Sequence, residues 1–254
     1  MIYLLGIYFL YVFVKIYLAA LQMNFVQNEA KKAAVVLPQS EYESAARVAI
    51  VNQKFEIISL VYHAVIFTMW AGCGLKFLNS LAIKTGAISE NIIFVMSFLV
   101  ISSLLELPLS IYETFVKDRR LGFSNTTPKI FVLDLAKSLA LTLVFGSLFV
   151  WVVLLCIDFL GEFWWFWAFV LSFAVIIVIN LIYPTVIAPM FNKMKPLEDG
   201  ELKSSIEGLL IECGFKSSGV FTIDASKRDN RLNAYFGGFG ATKRVVLFDT
   251  LVSK

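Results

Sequence analysis

The chain has 254 residues, 59% of them hydrophobic and only 16% charged, with a mean hydropathy of +0.78 and a net charge of +3. That composition excludes a water-soluble globular domain and puts the chain in the polytopic membrane class. No basic stripe with interleaved stacking residues occurs, which excludes a nucleic-acid binder. The three cysteines, Cys73, Cys156 and Cys213, are odd in number and two lie in apolar runs, against a disulfide framework.

Residues 1–14 are apolar, Lys15 interrupts, and 16–21 resume the run, enough to cross about 30 Å of hydrocarbon at ~1.5 Å per residue. A cleaved signal peptide competes with a first span, but the basic n-region is missing and Lys15 breaks the apolar core. Residues 27–54 predict a polar loop and, after Pro38, an interfacial helix, with Ser40 and Glu43 at capping-box spacing. The second span covers 57–75 and the third 91–112. The third carries Glu106 directly before Leu107 and Pro108, so its helical bonding is locally disturbed. A carboxylate at that depth is costly unless it faces water or a partner.

Between spans, Thr127 and Pro128 read as a helix cap and first helical residue. Asn125 to Thr127 also fits a glycosylation sequon, a use set aside because the charge pattern puts it inside. The fourth span covers 138–157 and the fifth 163–182, and the short link between them makes the two an antiparallel hairpin. The aromatic run 163–167 suits a membrane interface. Past "YPTVIAP", residues 196–215 predict a helix with Leu202, Ile206, Leu209 and Leu210 at helical spacing and Gly214 ending it. Segments 220–223, 233–236 and 244–249 are β-branched and aromatic between Gly- and Asp-containing turns, and predict a small antiparallel sheet.

Two stretches, "DASKRDNRLNAYFGGFGATKRVVLFDTL" and "YPTVIAPMFNKMKPLEDGELKSSIEGL", closely resemble the integral-membrane CAAX prenyl endopeptidases, a family of zinc metallopeptidases. The segment 107–131 resembles the same family's link between its third and fourth spans. The resemblance implies that the "NAYF" strand, Asn233, Ala234, Tyr235 and Phe236, is an edge along which an extended peptide lies. It also implies that an HExxH zinc helix follows shortly after "LFDTL". The sequence in hand ends at Lys254 ahead of any such motif, and its one histidine, His63, is in an apolar segment. We therefore expect no catalytic and no metal-ligating residue in these residues: zinc belongs to the full-length protein, and the 254 residues alone are expected to be inactive.

The expected fold is mainly α: a five-span polytopic membrane bundle over 1–190, then the start of a metallopeptidase domain over 191–254. The expected function is that of a membrane zinc metalloendopeptidase acting near the C-terminus of a peptide or protein substrate, prenylated where the organism prenylates its proteins, that binds as an added β-strand. A non-catalytic receptor or scaffold is the alternative. A transporter is also considered, yet the inverted hydropathy repeats it predicts are not visible. Lys15, His63, Lys76 and Glu106 are the ionisable groups in or near the spans; Glu106 is the candidate lining of a water-filled chamber, whereas Lys15 and Lys76 can snorkel. Lys227, Arg228 and Arg231 precede the edge strand, where they would meet an acidic peptide end or anionic headgroups, or merely face solvent. Lys and Arg crowd the segments after the first and third spans and the tail. Positive-inside then puts the N-terminus outside and the C-terminal part in the cytosol, in a cell inner membrane or the endoplasmic reticulum.

Overall fold

The computed structural model describes residues 2–36, 38–81, 88–238 and 243–253. Lys84, in the link after the second span, lies outside the described residues. Five helices are long and apolar enough to cross a membrane: α1 (Tyr3–Glu29), α2 (Gln39–Leu81), α3 (Ile88–Arg120), α4 (Pro128–Phe159) and α5 (Gly161–Ile182). At most 11% of any span's apolar window is buried by protein. Apolar surface left open on this scale belongs against lipid, where the helix is favoured because it satisfies its own backbone.

Residue chemistry explains the ends and irregularities of these helices. Thr127 caps α4 by accepting from the Ile130 N–H at 3.3 Å, with Pro128 as the first helical residue. The expected Ser40 capping box is absent. Pro38 stands at the N-cap, its carbonyl accepts from the N–H groups of Glu41 and Tyr42, and Ser40 is inside the first turn. The reason is that proline needs no amide partner and presets the dihedral that starts a helix. From there α2 runs unbroken, so interfacial helix and second span are one element. It contains a π turn at Trp70–Gly74, where a Cβ on Gly74 would stand 2.7 Å from the Trp70 ring. Pro108 sits inside α3, and a π turn follows at Glu113–Lys117. Further π turns occur at Thr142–Gly146 in α4 and Tyr183–Ile187 after α5.

The contacts group into two units, Met1–Glu113 and Thr114–Lys254. In the first, α1 pairs with α2. Their contact includes an ion pair between Lys15 and Glu56 at 3.1 Å, so Lys15 is held by a partner rather than only snorkelling.

The second unit ends in a four-stranded sheet, β1 (Met194–Pro196), β2 (Val220–Ile223), β3 (Ala234–Gly237) and β4 (Arg244–Phe248), in the order β1-β2-β4-β3. The sheet is mixed, not antiparallel throughout: β2 and β4 are parallel, with antiparallel β1 and β3 outside them. Strand β1 has no strand signature in the sequence, being three residues with lysine and proline. Helix α6 (Glu201–Glu212) lays Ile206 and Leu210 on Leu197, Val220 and Leu247. Gly214 at φ 64 ends it, and two return bonds, Phe215 N–H to the Leu210 carbonyl and Gly214 N–H to that of Ile211, close the turn. The opposite face buries Ile223, Ala225 and Val246 under Met194, Phe221, Tyr235 and Phe248. Parallel inner strands covered on both faces need this run of apolar residues.

Candidate functional site

Strand β3 is paired on one side, to β4, and is an edge of the sheet among the described residues. The Phe248 N–H donates to the Asn233 carbonyl at 3.0 Å, and the register sets Tyr235 against Val246 and Gly237 against Arg244. Because hydrogen-bonding direction alternates along a strand, Asn233, Tyr235 and Gly237 turn their main-chain groups toward β4, and Ala234 and Phe236 turn theirs outward. The Ala234 N–H is bonded meanwhile to the Asn233 side-chain oxygen at 2.9 Å. Side chains alternate too. Phe236 is 75% exposed on the α6 face, edge-on to Phe215, while Tyr235 packs into the opposite cluster. Burial, with the nearby Tyr183 adding to it, pushes the Tyr235 phenol above its usual range. The structure thus brings the "NAYF" residues together as a ledge with one dry face and one open face.

The basic residues ahead of the ledge are bound internally and do not form an open anion site. Lys227 pairs with Asp224, Arg228 with Asp134 on α4, and Arg231 with Asp229, with Asp118 at 3.8 Å. Burial raises the Asp229 carboxyl, but the side-chain and backbone hydrogen bonds of Arg231 and its charge outweigh that and hold it below the usual carboxylate range. Asp224 and Asp229 are close neighbours in sequence, but Asp134 is 94 residues from Arg228 and Asp118 is at least as remote from Arg231, which is why local charge counting does not pair those two. Asp134 and Asn230, which carry this junction together with Asn125, have no local signature in the sequence, and Asn125 shows there only as part of a sequon.

Glu106 belongs to the first unit. Its Oε2 is 2.9 Å from Nε2 of His63, and the neighbouring Tyr62 hydroxyl donates to the Leu105 carbonyl. A carboxylate in a span thus has its polar partner on the adjoining helix.

Zinc requires several imidazole, thiolate or carboxylate donors converging within about 2.0–2.3 Å of one point. Among the described residues no group of three such side chains gathers, and His63 is engaged with Glu106. This donor set does not fit a zinc centre, so no chemical step is routed through one here.

A family model described as the CAAX prenyl protease N-terminal region with five membrane helices matches residues 20–193, and that of peptidase family M48 matches 196–254. The chain belongs to the CAAX prenyl protease family. CAAX prenyl protease 1 of Saccharomyces cerevisiae is 37% identical over 202 residues, 79% of this chain and 43% of that protein. The Homo sapiens homolog is 34% identical over 171 residues, 66% of this chain and 35% of that protein. The crystal structure of S. mikatae Ste24p superposes with a TM-score of 0.88 at 32% identity, covering 98% of this chain and 61% of that one. The chain spans about half the length of the curated relatives it matches. Membership in this prenyl protease family agrees with the five spans and the terminal sheet.

Proposed function

We propose that this chain is the membrane-embedded, substrate-docking part of a zinc metalloendopeptidase of the CAAX prenyl protease type. A peptide adds to β3 as a further strand, taking main-chain bonds from Ala234 and Phe236, while Asn233 and Tyr235 hold the ledge to β4. The observation that carries this is the open edge of β3, with alternate main-chain groups facing outward next to a fully paired inner strand. Metal and general base come from parts of the whole protein beyond these residues. The names of the relatives, CAAX prenyl proteases, support a prenylated protein substrate. Residues 1–190 serve as the membrane domain and 191–254 as the start of the peptidase domain, with the N-terminus outside and the ledge in the cytosol. Glu106, held by His63, lines a polar space among the spans.

The test uses the full-length gene product and a peptide substrate N-methylated at one residue at a time. Strand addition predicts alternation: a methyl on a residue whose N–H faces β3 lowers kcat/KM by about tenfold or more, and on the intervening residues has little effect. Tolerance of every methyl in turn would end this reading.

A further inference from the structure

The turn that leads into the ledge is held by a membrane helix. Residues 224–231 form most of the connection from β2 to β3, and many of their polar groups bond to residues 118–134. Arg228 is central: its Nε and Nη2 donate to the two carboxylate oxygens of Asp134 at 2.7 and 2.8 Å, and Nη1 donates to Asn192 Oδ1 at 2.9 Å. All three guanidinium nitrogens are engaged, and the two side chains are only 21% and 24% exposed. Around this clasp, Asn125 donates from its backbone to the Arg228 carbonyl and from its side chain to the Ser226 carbonyl, both at 2.9 Å. Asn230 donates from its backbone to the Phe123 carbonyl at 2.8 Å and from its side chain to that of Gly122 at 3.0 Å. A planar fork on a carboxylate fixes orientation as well as distance, which a lysine in the same place does not.

We propose, resting on the strand-addition reading above, that Asp134 and Arg228 are positioning residues that determine which bond of a docked peptide is cut. Main-chain pairing to β3 gives affinity but is the same for every residue, so it does not select a scissile bond. One residue along a strand is about 3.3 Å. Selection therefore requires the ledge to be held against the cleaving groups to well within that distance. The pairing of β3 with β4 leaves the ledge free to move with the whole sheet. The clasp removes that freedom by tying the turn ahead of β3 to the first turns of α4 and to Asn192, in the link between α5 and β1.

The experiment takes the full-length protein in membranes, a peptide substrate, and mass spectrometry of the products, a readout independent of how much enzyme is folded. Asp134→Asn and Arg228→Lys are expected to leave KM within about twofold, since β3 itself is untouched, and to lower kcat about tenfold or more through misplacement. Both should release products cut one or two residues from the wild-type bond. A single product at the wild-type bond from both variants overturns the proposal, and the wild type's alternating sensitivity to N-methylation then shows whether strand addition still stands. Failure of both variants to fold also overturns it, because the pair would then hold the fold together and not aim the ledge.

Discussion

Val246 has no exposed surface and touches the sheet's inner cluster from the middle of β4. Truncation to Ala removes two buried methyl groups and leaves a void, a loss of about 2 kcal/mol. Chemical unfolding of the second unit in detergent should show it. Tyr235 makes a prediction in pH. Its phenol is raised by burial and by Tyr183. A group with a raised folded value contributes stability in full below its unfolded value and loses it as pH climbs through the folded one. The packing of β3 should therefore weaken only in base, beginning above about pH 10, where an unfolded tyrosine ionises. A Tyr235→Phe variant should lose that alkaline sensitivity, as followed by near-ultraviolet circular dichroism.

Among elements, α2 and α3 are joined by His63 with Glu106 and by Tyr62 with the Leu105 carbonyl. Interhelical hydrogen bonds in membranes average only about 0.6 kcal/mol and reach about 1.7. Glu106→Ala should accordingly cost the first unit about 0.5–1.5 kcal/mol in detergent titration, and Glu106→Gln, which keeps a hydrogen-bonding group, less. A loss well above this range would mean that the carboxylate carries more of the helix pairing than one such bond. The π turns belong to this scale as well. Those at Glu113–Lys117, Thr142–Gly146 and Tyr183–Ile187 flank the segments that clasp the 224–231 turn. Each adds a residue to a helical turn and so rotates the chain beyond it, a local adjustment that periodic sequence does not announce.

For the molecule as a whole, the orientation proposed from charge is open to direct measurement. Cys213 is exposed at the end of α6. With the sheet in the cytosol, a membrane-impermeant thiol reagent should label Cys213 in inside-out vesicles and leave it unlabelled in sealed right-side-out ones. Labelling from the outer face alone would reverse the topology.

The spans, the Thr127 cap, the Gly214 stop and the strand character of "NAYF" follow from the sequence by itself, because each depends on neighbours within a turn or on a local hydropathy run. The family followed too, from residues contiguous in the chain. Only the tertiary structure decided that β2 and β4 run parallel, that β1 joins the sheet beside β2, and that Arg228 belongs to Asp134, Lys15 to Glu56 and His63 to Glu106. Strand order and ion pairing are choices among partners distant in sequence, and their energies depend on distances that exist only once the helices and the sheet have packed.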